Sequence, residues 1–128
     1  MVKTMLITGA LFGGLAVILG AFGAHALKNL LEAEALKTFE TGVKYQIYHA
    51  LFLMVVANLS QLSISAKTTI FYLVLIGVIL FSGSIYLLAS NSLTAFDFRK
   101  IGFVTPLGGT LLIVAWGLLV FYLFNWEK

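Results

Sequence analysis

The chain contains no cysteine and one proline, and only 10% of its 128 residues are charged. Without cysteine there is no disulfide, no thiolate metal site and no cysteine nucleophile, and the redox compartment is left open. The shortage of charge says more. A soluble domain carries about 25% charged residues to cover its surface. Here 61% of the residues are hydrophobic, and the mean hydropathy is +1.05. Acidic residues are scarcest, five against eight basic, which leaves a formal net charge of +3. That balance does not indicate nucleic acid: Lys and Arg are scattered at the ends of apolar runs, where they set membrane topology, and no basic stripe exists to follow a phosphate backbone. Enzyme signatures are missing too. There are no paired carboxylates within an apolar run, no Gly-x-Ser-x-Gly elbow and no P-loop, and Ser82 and Ser84 have no dedicated base.

What is present is length without charge. Asp, Glu, Lys and Arg are absent from Thr4–Leu27, Tyr45–Ala66, Thr68–Phe96 and Ile101–Trp126. A hydrocarbon core of about 30 Å needs about 20 helical residues, and each run clears that length. None alternates as barrel strands do. The sequence predicts an all-α membrane protein: four transmembrane helices, over about 4–27, 45–66, 69–90 and 101–125, in one antiparallel bundle forming a single domain, 1–128. Between the first two spans, residues 33–44 place Ala35, Leu36, Phe39 and Val43 on one arc and Glu34, Lys37, Glu40 and Lys44 on the other. That pattern predicts a short amphipathic helix lying at the interface, with a solvated connector as the alternative.

The first span has a second reading. Lys3 gives a positive start and Ala24-His25-Ala26 is an A-x-A-like site. Yet the apolar run from Met5 to Phe22 exceeds a usual signal-peptide core and is interrupted by glycine, so a retained helix is expected. Gly9, Gly13 and Gly20 fall on one face of it and form a packing surface, either inside the bundle or toward a second copy. In the fourth span Pro106 is expected to start or kink the helix. Gly108 and Gly109 beside it permit close approach of a neighbour. Trp116, Phe121, Tyr122, Phe124 and Trp126 crowd its far end, where the Tyr and Trp read as an aromatic belt. The shared Gly-Gly of LFGGLAVILG and PLGGTLLIVA reflects low complexity rather than duplication.

The candidate chemistry lies in the polar residues of the spans. His25 and His49 flank the charged segment 28–44, so both are expected near one membrane surface. There, with Tyr45 and Gln46, they would form a polar cluster. Ser82, Tyr86 and Ser90 recur every four residues as a polar stripe facing the bundle. The cluster could be a set of satisfied groups pinning a hairpin, or a proton-responsive pair. Haem or metal at His25/His49 is a further alternative, with an incomplete ligand set because no carboxylate or thiol lies nearby.

GAFGAHAL (20–27), FETGVKYQIYHAL (39–51), FSGSIY (81–86), TPLGG (105–109) and AWG (115–117) fall in order along the chain. In these segments it resembles the YgdD-type small membrane proteins, whose animal relatives are called transmembrane protein 256. The resemblance implies a multi-pass membrane protein of about this length and unknown function, and supplies no catalytic residues.

The expected role is a non-enzymatic accessory, assembly or scaffold component without a cofactor. It would sit in the lipid bilayer of a bacterial plasma (inner) membrane, possible partners being a second copy or another membrane protein. The alternative is a proton- or ion-responsive transporter or channel subunit. Lys28, Lys37, Lys44, Arg99 and Lys100 on one side against Lys3, Lys67 and Lys128 on the other place both termini outside the cytoplasm.

Overall fold

A computed structural model describes residues 1–127; Lys128, one of the residues in the topology count, lies outside them. The described chain is helical, with no strand. Four long helices, α1 (Val2–His25), α2 (Ala33–Asn58), α3 (Ile64–Ala89) and α4 (Val104–Phe124), are joined by short turns. Three segments are long and apolar enough to cross a membrane: Val2–Asn29, Ile64–Ala89 and Phe98–Phe124.

Consecutive helices run antiparallel. Gly9 of α1 faces Ala50 and Met54 of α2, while Gly23 faces Phe39. Gly42 of α2 meets Ile85 and Tyr86 of α3, and Gly77 of α3 meets Gly108 and Leu112 of α4. Each helix packs chiefly on its neighbours in sequence, so α2 and α3 form the centre and α1 and α4 the flanks. Burial follows this order. The main core joins Met5 to Leu53, Val56, Ile70, Val74, Leu112 and Ala115. On α1 only Met5, Gly9, Ala16 and Gly23 are buried. The outward faces of α1 and α4 are apolar and exposed, including Val17, Ile18, Ile113 and Phe124, as expected where hydrocarbon takes the place of water.

Glycines set the closest approaches. A Cβ on Gly9 would lie 2.9 Å from the Ala50 carbonyl oxygen, and one on Gly108 2.9 Å from that of Gly77. Two helices can come this near only where a side chain is missing, and the gain is dispersion contact along both backbones. Gly13 and Gly20 make ordinary contacts with α2, and Gly109 packs on the Phe81 ring.

Three expectations are corrected. Residues 33–44 are not a separate interfacial helix but the first turns of α2, continuous with 45–58. Nothing in ETGVKY breaks a helix, and Gly42, where a bend was affordable, is clamped against Ile85 and Tyr86. The second span does not reach Ala66, because α2 ends at Asn58. Ser63 then caps α3, its Oγ accepting from the Ala66 N–H at 3.1 Å, so α3 starts at Ile64 rather than 69. A serine immediately before a good helix run satisfies an orphan N–H three residues on and starts the helix there. Lys67 therefore belongs to the first turn of α3. It is buried, and its Nζ donates to the Ala57 carbonyl at 2.9 Å. A cation thus sits on the carbonyl end of α2, where the helix dipole favours it.

Pro106 is the third residue of α4, where its missing N–H costs no intrahelical bond. Ala24 and His25 close α1, and Ala26 is its C-cap. Between α3 and α4 the chain is tied by Asp97. Its carboxylate accepts from the Arg99 Nε at 2.9 Å and from the Arg99 backbone N–H at 3.1 Å. The hydrogen-bonded Arg99 side chain holds the Asp97 carboxyl down at about 2.

Candidate functional site

Polar side chains on apolar helices have few partners, because hydrocarbon offers none and an unpaired buried group costs about 2–7 kcal/mol. In this protein they pair across helices. Gln46 is the first node. It is buried on α2 between α1 and α3. Its Nε2 donates to the Phe12 carbonyl at 2.8 Å, and its Oε1 accepts from the Tyr86 hydroxyl at 2.6 Å. The amide orientation follows from the partners, since a carbonyl only accepts. One side chain thereby ties three helices. Nearby, the buried Ser82 Oγ donates to the Gly42 carbonyl at 2.8 Å. Tyr86 also packs on Phe39, ring centroids 5.1 Å apart.

His49 is the second node. Its Nδ1 lies 2.7 Å from the Tyr45 carbonyl, and the Trp116 indole Nε1–H donates to its Nε2 at 3.1 Å. The carbonyl can only accept and the indole can only donate. The hydrogen bonds therefore assign a neutral ring with its proton on Nδ1. Both ring nitrogens are engaged, so His49 has no lone pair left for a metal or haem iron in this arrangement. Phe52 packs tilted against Trp116 at 4.3 Å between centroids. A third tie links α3 to α4, where Ser84 and Thr105 hydroxyls lie 2.6 Å apart.

The expected cluster of His25, Tyr45, Gln46 and His49 is not assembled. His25 is exposed at the last residue of α1, beyond the level of Phe39, which faces Gly23. At about 1.5 Å per residue that is roughly 15 Å along the helix from His49. The expectation fails because it starts the second helix at about residue 45. Because α2 begins at Ala33, about three turns further upstream, His49 lies near mid-helix rather than at its start. Tyr45 stacks on His49, and Gln46 bonds elsewhere. Of the stripe on α3, Ser82 and Tyr86 face α2 as expected. Ser90 is the C-cap of α3, and its side chain makes no hydrogen bond among the described residues.

Trp116, Lys67 and the Ser84–Thr105 pair were missed as polar ties. A signal existed for Trp116: it lies well inside its charge-free run, where hydrocarbon offers an indole N–H no acceptor and a protein group must supply one. It is not part of an aromatic belt. Among the described residues no group of three or more His, Asp or Glu is placed to hold a metal ion.

A helical array whose apolar segments can cross a membrane, with polar groups bonded helix to helix, defines a multi-pass integral membrane protein. The chain belongs to the family described as a protein of unknown function, DUF423, whose profile matches residues 19–109. It is 43% identical over 120 residues to the UPF0382 membrane protein YwdK of Bacillus subtilis, covering 92% of this chain and 94% of that one. It is 40% identical over 114 residues to a UPF0382 membrane protein of Haemophilus influenzae, covering 84% and 82%. With the UPF0382 inner membrane protein YgdD of Escherichia coli it shares 39% identity over 120 residues, covering 92% and 87%. No solved structure matches.

Proposed function

We propose that the protein is a non-enzymatic accessory or assembly component of a bacterial inner membrane, crossing it four times. One observation carries the functional part. The polar groups between the helices, the buried Gln46, His49 and Ser82 with Tyr86 and the half-exposed Trp116, are bonded to neighbouring helices rather than lining a file of free polar groups. A permeation path needs such a file, with groups that can exchange partners. A structural scaffold needs the opposite.

Packing supports the fourth crossing. α2 lies along α1 from Gly9 to Gly23 and along α3, both spans by length and composition, and its outer residues Tyr48, Leu51 and Val55 are exposed and apolar. The exposed charges of its first turns, Glu34, Lys37 and Glu40, then stand where it leaves the bilayer, and Lys44 extends its amine back toward them. Burial of Lys67 against α2 removes one cation from the side bearing the termini. This supports placing the 28–44 and 97–100 segments in the cytoplasm and the termini outside. The name of the Escherichia coli relative supports the inner membrane.

The broad apolar flanks of α1 and α4 suit lateral contact with a second copy or another membrane protein. Cross-linking in native membranes followed by affinity purification tests this role. Recovery of one stoichiometric membrane partner, or of a defined homo-oligomer, is the expected result. Only monomer at every cross-linker length contradicts it.

A further inference from the structure

A cleft of about 280 Å³ lies between α2, α3 and α4, lined by Tyr45, His49, Phe81, Gly109, Leu112 and Trp116. It opens sideways past Ile113, which is 72% exposed, near the middle of α4. Anything that fills it arrives from the hydrocarbon. We propose that this cleft binds the flat ring of a lipid-soluble compound bearing a hydrogen-bond acceptor, of the quinone class.

The lining chooses a ring over an acyl chain. Tyr45 packs on Phe81 with centroids 5.0 Å apart and stacks with His49 at 6.4 Å and 16° between planes. Trp116 stands edge-on to His49 at 79°. Aromatic rings contributed by three helices favour an inserted ring, through offset and edge contacts worth about 0.5–1.5 kcal/mol each beyond area burial. The volume is near the lower end of small-molecule sites, about 300–1,000 Å³. It suits one substituted six-membered ring and excludes haem. Gly109 opens the wall, since a Cβ there would sit 3.4 Å from the Phe81 ring. The Tyr45 hydroxyl bonds no protein group among the described residues, and with the residue 41% exposed it is free to donate to a ring carbonyl. His49 and Trp116 satisfy each other and form the floor.

Trp116 itself reports the test. With Trp126→Phe it is the single tryptophan, because the chain has two. Purified protein in nanodiscs is titrated with decylubiquinone, and indole fluorescence is followed. Saturable quenching is expected. It should weaken about tenfold in Gly109→Leu and in Ile113→Phe, and about fivefold in Tyr45→Phe. Ile113→Phe narrows the mouth from the exposed side and decides the matter should Gly109→Leu fail to fold. Quenching linear in probe and equal in all variants, which is simple partitioning, overturns the proposal. So does equal saturable quenching by a phospholipid with brominated acyl chains, which would make the occupant a lipid tail.

Discussion

The Trp116 indole of α4 and the His49 imidazole of α2 are hydrogen-bonded, Nε1 to Nε2 at 3.1 Å, although the two helices are not neighbours in sequence. The bond closes the array on one side, as Gln46 closes it on the other between Phe12 and Tyr86. Replacing Trp116 with Phe removes the donor and leaves Nε2 unpaired. Stability in detergent should fall by about 1–3 kcal/mol, read from thermal unfolding. In a double-mutant cycle with His49→Leu the two losses should be less than additive, because they remove the same bond.

Tyr86→Phe should cost about 1 kcal/mol, since it frees only the Gln46 Oε1. Gln46→Leu should cost more, because it releases the tie to Phe12 as well and strands the Tyr86 hydroxyl. The rank order in a denaturation series checks this; equal costs would mean that the Phe12 bond contributes nothing.

Gly108→Leu forces a side chain against the backbone of Leu80 and Gly77. Overpacking of this kind costs about 1–3 kcal/mol, and here the obstacle is backbone that cannot rotate away. Gly14→Leu, whose Cβ meets nothing within 4 Å, should leave unfolding unchanged and serves as the matched control.

Much of this was legible in the sequence. Charge-free runs locate α1 and α4 to within a few residues and α3 less closely, and Gly9 and Gly108 announce close crossings. The polar residues Gln46, Ser82 and Tyr86 announce buried bonds, because hydrocarbon leaves them no other outcome. What could not be read was register between helices. Charge at Lys44 looked like a membrane boundary, yet a lysine can stand exposed on a helix that has already begun, and that displaced His49 toward His25. Lys67 looked like an exit for the same reason, whereas its long stem lets the amine turn back onto Ala57. Which partner each polar group takes is a tertiary fact with no local signature.

The Asp97–Arg99 tie predicts a pH response confined to the loop between α3 and α4. The folded carboxyl is held down at about 2, below the usual carboxylate value of about 3.9. A lowered folded value means that the contribution to stability is present above about pH 4. It is lost as pH falls toward 2, because the unfolded state takes up the proton first. Carbon-detected NMR titration of the Asp97 carboxyl should show the low midpoint, and Arg99→Ala should return it toward 4. The group is exposed, so global stability should barely change.

The central claim is that the intramembrane polar groups tie helices together and carry nothing across. Proton flux into liposomes containing the purified protein and a trapped pH dye, under an imposed pH gradient and valinomycin-clamped potential, tests it most directly. The account predicts a rate equal to that of protein-free liposomes, for the parent chain and for His49→Ala alike. A protein-dependent flux that His49→Ala abolishes while the variant remains folded would contradict it.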